Sequence, residues 1–473
     1  VGMKQKETWN ISGGTVAVDS GSALHIGGAG NYAAATGEGV VNLSGSGRLV
    51  AQGTLPLYLA RPGTGAVGTR GTVNLNGGTL ETARTFQKVA GSGGNAAAFH
   101  FNGGVLRATG GNADWFQNLD ALDVQEGGAA VDVVAGAQAL IRQPLTHGGL
   151  AEADGGLIKT GAGTLGVSNA FTGPITVSEG VLGLESPPAG NLSAAAGAGL
   201  AFKNPADLAF ALSDTSGKYT LDGAAAAGLY CLTNATNPSL ADVNLGTRGF
   251  VKMGSGTLTL TSAAVLAGAT NGVSVIGAPL NYQAANAVPA GVPISVSSGG
   301  QLVLNYGATM TLSNPLTLSG NFDTGDGNGS LYISWNGGAA SINAPVTLAG
   351  DTKIKAFSTA TTVNMNQPIG GAGNLVVGAG GASATHVHTF NFNAANSFAG
   401  DVTLKNDAGA NARFNWGADD ALPAGAVLML GGPSWNNTYA MADLKGYNQT
   451  VKGLADAARS EEHTSELQSR SDL

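Results

Sequence analysis

The chain has one cysteine, Cys231, in 473 residues. No internal disulfide can form, so a disulfide-stapled secreted scaffold is excluded. Charge is scarce as well, at 11% of residues where about a quarter is usual. With apolar residues at 43%, that is the reverse of the balance that keeps a chain disordered. Long apolar runs are missing too. Met253 to Phe322 contains no Asp, Glu, Lys, Arg or His, yet Asn, Ser, Thr, Gly and Pro interrupt it every few residues. A spanning helix needs about 20 apolar residues in succession, so no membrane insertion is expected. The formal net charge of −8 leaves no basic footprint for nucleic acid or anionic lipid.

Glycine and proline are abundant, at 76 and 16 residues. Glycine follows no three-residue period, which removes collagen. A folded, turn-rich, all-β chain remains, its length suited to about three ordinary domains or one repeat array. The opening Val1-Gly2-Met3-Lys4-Gln5-Lys6-Glu7 is followed by no apolar segment of the signal-peptide kind. At the other end, residues 459–473 resemble a translated sequencing adapter, RSEEHTSELQS, and contain no glycine. Setting aside Arg459, Arg470, Glu461, Glu462, Glu466 and Asp472 moves the net charge from −8 to −6. The native chain is expected to continue past this point.

The dominant pattern is alternation. Thr72-Val73-Asn74-Leu75-Asn76, Phe99-His100-Phe101-Asn102, Thr257-Leu258-Thr259-Leu260 and Thr309-Met310-Thr311-Leu312 each place apolar residues at every second position. Period two over short runs means half-buried strands. No window holds a helical period, and no helix is expected. Asn76-Gly77-Gly78, Asn102-Gly103-Gly104 and Asn336-Gly337-Gly338 mark tight corners. Val73 to Leu80 matches Phe99 to Leu106 at an offset of 26 residues. Self-similarity on this scale marks a solenoid, with coils of about 25 residues holding three strands each. Hairpins at the Asn-Gly corners would instead build a sandwich or barrel. The solenoid is favoured because the strands are short and the copies numerous and irregularly spaced. The fold expected is therefore all-β, an elongated right-handed parallel β-helix. Leu75, Leu80, Phe101, Leu106, Leu258, Leu260, Leu304 and Leu312 should line its interior. Asn74, Glu81, His100, Arg107 and Thr259 should be exposed.

Three segments carry a family likeness. Lys159-Thr160-Gly161-Ala162-Gly163-Thr164-Leu165 precedes Asn169-Ala170-Phe171-Thr172-Gly173-Pro174-Ile175-Thr176-Val177 and then Gly180-Val181-Leu182. Lys252-Met253-Gly254-Ser255-Gly256-Thr257-Leu258 repeats the first phrase. Gly371-Ala372-Gly373-Asn374-Leu375 and Asn396-Ser397-Phe398-Ala399-Gly400-Asp401-Val402 repeat the first two. Together these resemble the autotransporter-associated β-strand repeat, K-x-G-x-G-T-L-x-L, then N-x-[YF]-x-G-x-[TI]-x-[VI], then G-x-L. The likeness is firm over about 159–184 and 371–454, and residues 185–247 depart from it. It implies right-handed β-helix coils in a secreted, surface-displayed bacterial passenger. The organisation expected is coils over 1–158, the repeat at 159–184, irregular coils or an insertion at 185–247, further coils over 248–458, and a non-native tail at 459–473.

Candidate chemistry is thin. Gly161-Ala162-Gly163-Thr164-Leu165-Gly166 fits a dinucleotide fingerprint, but Asn169, Gly173 and Pro174 forbid the helix that such a motif needs. His386-Val387-His388 offers half a metal site on one strand face, read here as two solvent-facing histidines. Asp323 to Gly329 has the look of a calcium loop without the closing Glu, and is read as a turn. Asp114, Asp120, Asp123, Glu126 and Asp132 form the densest acidic run, the place where a polysaccharide lyase or glycoside hydrolase would carry paired carboxylates. Cys231 reads as a buried thiol. No catalytic residue, metal ligand or cofactor is assigned. The expectation is a non-enzymatic structural or adhesive passenger, extracellular or at the outer-membrane surface. Its expected partners are surface glycans or other cell-surface proteins, with a carbohydrate-active β-helix enzyme as the alternative.

Overall fold

The computed structural model describes residues 5–18, 21–28, 37–63, 67–89, 94–236, 245–263, 265–266, 268–297, 299–305, 309–320, 329–335, 338–381, 383, 385–406, 410–431 and 439–456. The Asp323 loop up to residue 328, Asn336-Gly337 and the adapter-like tail lie outside them. Every strand pairing described is parallel, as in Val41↔Val73, Leu80↔Leu106 and Leu302↔Leu331. The glycine corners therefore turn the chain from one face of a coil to the next and do not close hairpins. The protein is a parallel β-solenoid. It comprises two compact units, Val1–Tyr230 with Asp242–Val251, and Cys231–Ala241 with Lys252–Leu473.

The first unit starts with three-faced coils. Its first face stacks Lys6–Ile11, Glu38–Leu43, Arg70–Leu75, Ala96–Phe101 and Ala121–Val124. Its second face stacks Thr15–Val18, Arg48–Ala51, Thr79–Thr82, Val105–Ala108 and Ala129–Val133. A third face, Leu24–Ile26, Leu57–Leu59, Phe86–Lys88 and Phe116–Gln117, ends there. The step from coil to coil shortens along the unit, first between coils that still have the third face and again some way past its end. Asn42 to Asn74 is 32 residues, Asn76 to Asn102 is 26, and Thr176 to Ser193 is 17. Coils of 17 residues have room for two strands, so the expected coil of about 25 residues with three strands describes only part of this unit. The lumen fillings follow its width. Phe86, Phe99, Phe101 and Phe116 occupy the three-faced coils with ring centroids 4.8–6.2 Å apart. The narrow coils are filled by Leu165, Val167, Ile175, Val177, Leu182 and Leu184.

One expectation fails here: an α-helix, Pro205–Ser213, interrupts the coils between Gly199–Phe202 and Tyr219–Leu221. Asn204 occupies the N-cap position, proline presets the first turn, and Asp207 sits near the positive helix end. Leu208 and Ala211 bury against the unit while Phe210 packs edge-on to Tyr219. Nine residues with two inward anchors carry too little periodic signal to be seen in sequence. Helices this short are stabilised by packing more than by propensity.

Among the described residues the second unit has three ladders. One stacks Val273–Val275, Ile294–Val296, Leu316–Gly320 and Ile369–Gly371. Another includes Leu258–Leu260, Pro279–Tyr282, Gln301–Leu304, Leu331–Trp335, Leu375–Gly380 and Val402–Asn406. The long strand Val346–Ser358 serves both, pairing Val346 with Leu316 and Ile354 with Leu331. The third stacks Thr309–Leu312, Gly338–Ile342, Thr361–Met365, Val387–Phe392, Asn411–Trp416 and Ala440–Asp443.

All eight interior leucines and phenylalanine expected from alternation are buried, none more than 3% exposed. The outward set is less exposed than expected. Arg107 is exposed, but Asn74, Glu81, His100 and Thr259 are half-buried. The cause is stacking, because each outward side chain lies between its counterparts in the coils above and below. Asn42, for example, accepts from Asn74 and donates to Asn10, each at 2.7 Å.

Candidate functional site

The acidic run at 114–132 is the natural place to look for catalysis, and the solenoid disperses it. Asp120 pairs with Lys88 at 2.7 Å and Asp123 with His100 at 2.9 Å, each reaching a neighbouring coil. Asp132, on the second face, meets Arg107 at 3.5 Å. Glu126 accepts the backbone N–H groups of Leu150 and Ala151 at 2.6 and 3.0 Å. Asp114 is half-buried, and burial raises its pKa. Each of the other four acids has a separate partner. On the second face the charges alternate from coil to coil, Arg48, Glu81, Arg107 and Asp132. Arg48 holds Glu81 through two hydrogen bonds, which keeps that carboxyl below the usual range.

The other sequence candidates separate in the same way. Gly161 takes φ +71° and Thr164–Ala170 is a strand, so no helix N-terminus faces the glycine motif. His386 and His388 do not share a solvent face, contrary to expectation. His388 points into the lumen in the inward column of Phe390 and Phe392, and burial pushes its pKa down to about 4. It is neutral near pH 7. Its side chain sits at inward parity because it lies two and four residues before Phe390 and Phe392, and strand side chains alternate between faces. Cys231 is buried, and burial pushes its thiol pKa up. Among the described residues, no group of three or more His, Cys, Asp and Glu side chains is arranged to hold a metal ion.

Three polar centres that sequence reasoning passed over are buried at the corners of the coils. Asp154 is the first. Its carboxylate accepts the backbone N–H groups of Thr172, Gly156 and Gly173 at 2.7, 2.9 and 2.8 Å. It also meets His147 Nδ1 at 3.0 Å and the Thr172 hydroxyl at 3.0 Å. Burial alone would raise its pKa, but the amide donors and His147 hold it below the usual range. His, Asp and Thr here look like parts of a triad, yet the hydroxyl contacts the carboxylate and Nδ1, the positions an orienting acid occupies. Five donors saturate the carboxylate, which clamps two successive coils and is in no position to take a proton.

Lys159 and Lys252, the first residues of the two K-x-G-x-G phrases, are the other two. Both side chains are fully buried. Lys159 Nζ donates to the carbonyls of Thr160, Gly161 and Glu179 at 2.7, 2.6 and 3.2 Å. Lys252 Nζ donates to those of Gly254, Gly277 and Ala278 at 3.2, 3.1 and 2.9 Å. Burial pushes both ammonium groups down to about 8. Each lysine thus caps carbonyls that the ladder leaves open where two coils turn together. The glycines of the phrase complete the corner. The first, Gly161, Gly254 or Gly371, takes φ between +71° and +111°. A Cβ on the second, Gly163, Gly256 or Gly373, would lie 2.0–2.3 Å from a backbone oxygen of the preceding coil. The third copy has Ile369 in place of the lysine, and that residue is buried as well. The lysine spacing, repeated at 159 and 252, was the one signal in the sequence that could have pointed to this arrangement.

Compared with known proteins, the chain matches no family model, no curated protein and no solved structure.

Proposed function

We propose that this chain is a non-enzymatic, structural or adhesive region of a bacterial surface protein of the autotransporter type, working outside the cell or at the outer-membrane surface. The observation that carries this reading is how the ionisable groups are used. Asp154, Lys159 and Lys252 reach the interior and are engaged by the backbone of their own and the next coil. Asp120, Asp123 and Asp132 face outward and pair singly with bases one coil away. A catalytic groove would instead bring carboxylates together, with one pKa pushed toward neutrality. Ladders, corner clamps and interdigitated fillings make a rigid scaffold that presents long, regular faces. The repeat phrases, whose lysine and glycines build the corners, support the surface-passenger reading.

Incubating the purified protein with a broad panel of neutral and acidic polysaccharides tests the non-enzymatic part. No new reducing ends and no unsaturated sugars should form. Turnover of any substrate that disappears on replacing Asp123 or Asp132 with Asn would establish the carbohydrate-active alternative.

A further inference from the structure

The outward side of the third ladder in the second unit differs from the outward faces of the first unit. Charge pairs run down the first unit, through Lys6–Glu38 on one face and Arg48–Glu81 on the other. In the second unit, four successive strands of the third ladder present only uncharged groups outward. One row is Thr309, Ala339, Thr362 and Thr389, and the next is Thr311, Ser341, Asn364 and Asn391. A third row lies just beyond the strands, in Asn343, Asn366 and Asn393. All of these residues are half-buried or exposed.

The asparagines are tied into ladders. Asn415 donates to Asn391 at 2.8 Å and Asn391 to Asn364 at 2.7 Å. In the neighbouring row Asn393 donates to Asn366 at 2.7 Å and Asn366 to Asn343 at 2.8 Å. Each such bond uses one N–H and one lone pair of an amide that has two of each. The ladder fixes the orientation of the remainder, so a row of neutral donors and acceptors recurs at the strand spacing of about 4.8 Å. Ordering is already complete before a ligand arrives, which lowers the entropic cost of binding.

We propose that this face binds an uncharged, extended polysaccharide lying along the stacking direction of the coils. Such a polymer offers hydroxyl groups, each both donor and acceptor, at intervals of the same order. Over these four strands, which end where Arg413 follows Thr389 in register, neither side carries charge, so the interaction depends on hydrogen bonds in register and an acidic polymer gains nothing from it. The proposal rests on the adhesive reading above and assigns it a surface and a class of partner.

The test uses the whole chain in retention assays on microcrystalline cellulose and chitin as neutral probes, with alginate beads as the acidic one. Retention is expected on at least one neutral matrix and not on alginate. Thr362→Glu and Ser341→Glu, made singly, place a carboxylate among the neutral groups and should each weaken retention about tenfold or more, as expected when about one hydrogen bond and its partner's solvation are lost. Thr317→Glu lies on an exposed position of another ladder and should leave retention unchanged. Far-UV circular dichroism and the melting temperature confirm that each variant is folded. The proposal is overturned by equal retention of all three variants, by no retention on either neutral matrix, or by sedimentation showing that the Thr362→Glu change abolishes self-association instead. None of these outcomes involves product release, so the non-enzymatic reading stands or falls separately.

Discussion

Replacing Gly163 by alanine should destabilise the first unit sharply. A Cβ at that position would lie 2.3 Å from the Val134 carbonyl oxygen, 2.6 Å from Val133 Cγ1 and 2.8 Å from the Ala137 carbonyl oxygen. An ordinary contact needs about 1 Å more, and the preceding coil can supply it only by moving its backbone. That backbone is held by the bonds Gly163 N–H to Val133 and Thr164 N–H to Ala137, each 2.9 Å. Overpacking a tight site costs about 1–3 kcal/mol, and stretching two ladder bonds adds about 1 kcal/mol each. The expected loss is about 3–5 kcal/mol, a change of more than a hundredfold in the local folding equilibrium. Gly223→Ala is the internal control. No atom lies within 4 Å of a Cβ there and φ is not in the left-handed region, so alanine should be neutral or stabilise by about 0.4–1 kcal/mol through the unfolded chain. Urea unfolding followed by circular dichroism reads both as shifts in midpoint. A Gly163→Ala midpoint equal to that of Gly223→Ala would refute the account of the K-x-G-x-G corner.

Three further outcomes are expected. The folded-state pKa of about 8 for Lys159 and Lys252 lies below the ordinary 10.5, so the unfolded chain holds those protons more tightly and stability from these groups grows as pH rises from about 8 toward 10.5. Urea midpoints across that window should therefore rise more in the native chain than in a Lys159→Met, Lys252→Met double variant, and a steeper rise in the variant would contradict this. Phe99→Ala removes a fully buried ring lying 4.8–5.1 Å from Phe86, Phe101 and Phe116 and should cost about 3–5 kcal/mol in chemical denaturation, where a cost below about 1 kcal/mol would show that the wide lumen is not packed. Asp154→Ala strands three amide donors and should cost roughly 3 kcal/mol at neutral pH. Because the folded carboxyl is held below its ordinary value, that difference from the native chain should persist at pH 7 and shrink as pH falls through the carboxylate range, and an unchanged difference in acid would count against the clamp.

Period-two alternation was enough to assign the interior. Leu75, Phe101 and Leu258 point inward because a β-strand sends successive side chains to opposite sides, a rule that holds whatever the strand pairs with. Arg107 and His100 fall outward for the same reason, but only Arg107 is well exposed, since exposure depends on which residue the next coil stacks beside it. The chain's lack of clustered acids was legible too, and the coils disperse the 114–132 run among separate partners. Phe390 and Phe392 share the parity of His388 and place it inward, but the apolar Val387 between the two histidines obscures that alternation in the sequence.

What the sequence determined by itself was local: strand parity, the glycine corners, and the short parallel strands that can persist only when stacked. These follow from backbone stereochemistry and side-chain hydrophobicity within a few residues. The width of each coil was decided by tertiary structure. The third face ends at Gln117, the chain still returns in 28 and 26 residues from Ala129 to Leu157 and from Gln138 to Thr164, and only later does the step fall to 17, which nothing near Gln117 announces. The same holds for Lys159 and Asp154, whose partners come from other corners of their own coil and from the coils stacked next to it. A charged residue between glycines reads as exposed in one dimension. It becomes a buried clamp only when stacking brings open carbonyls and amides around it, because those groups cannot be left unpaired once water is excluded.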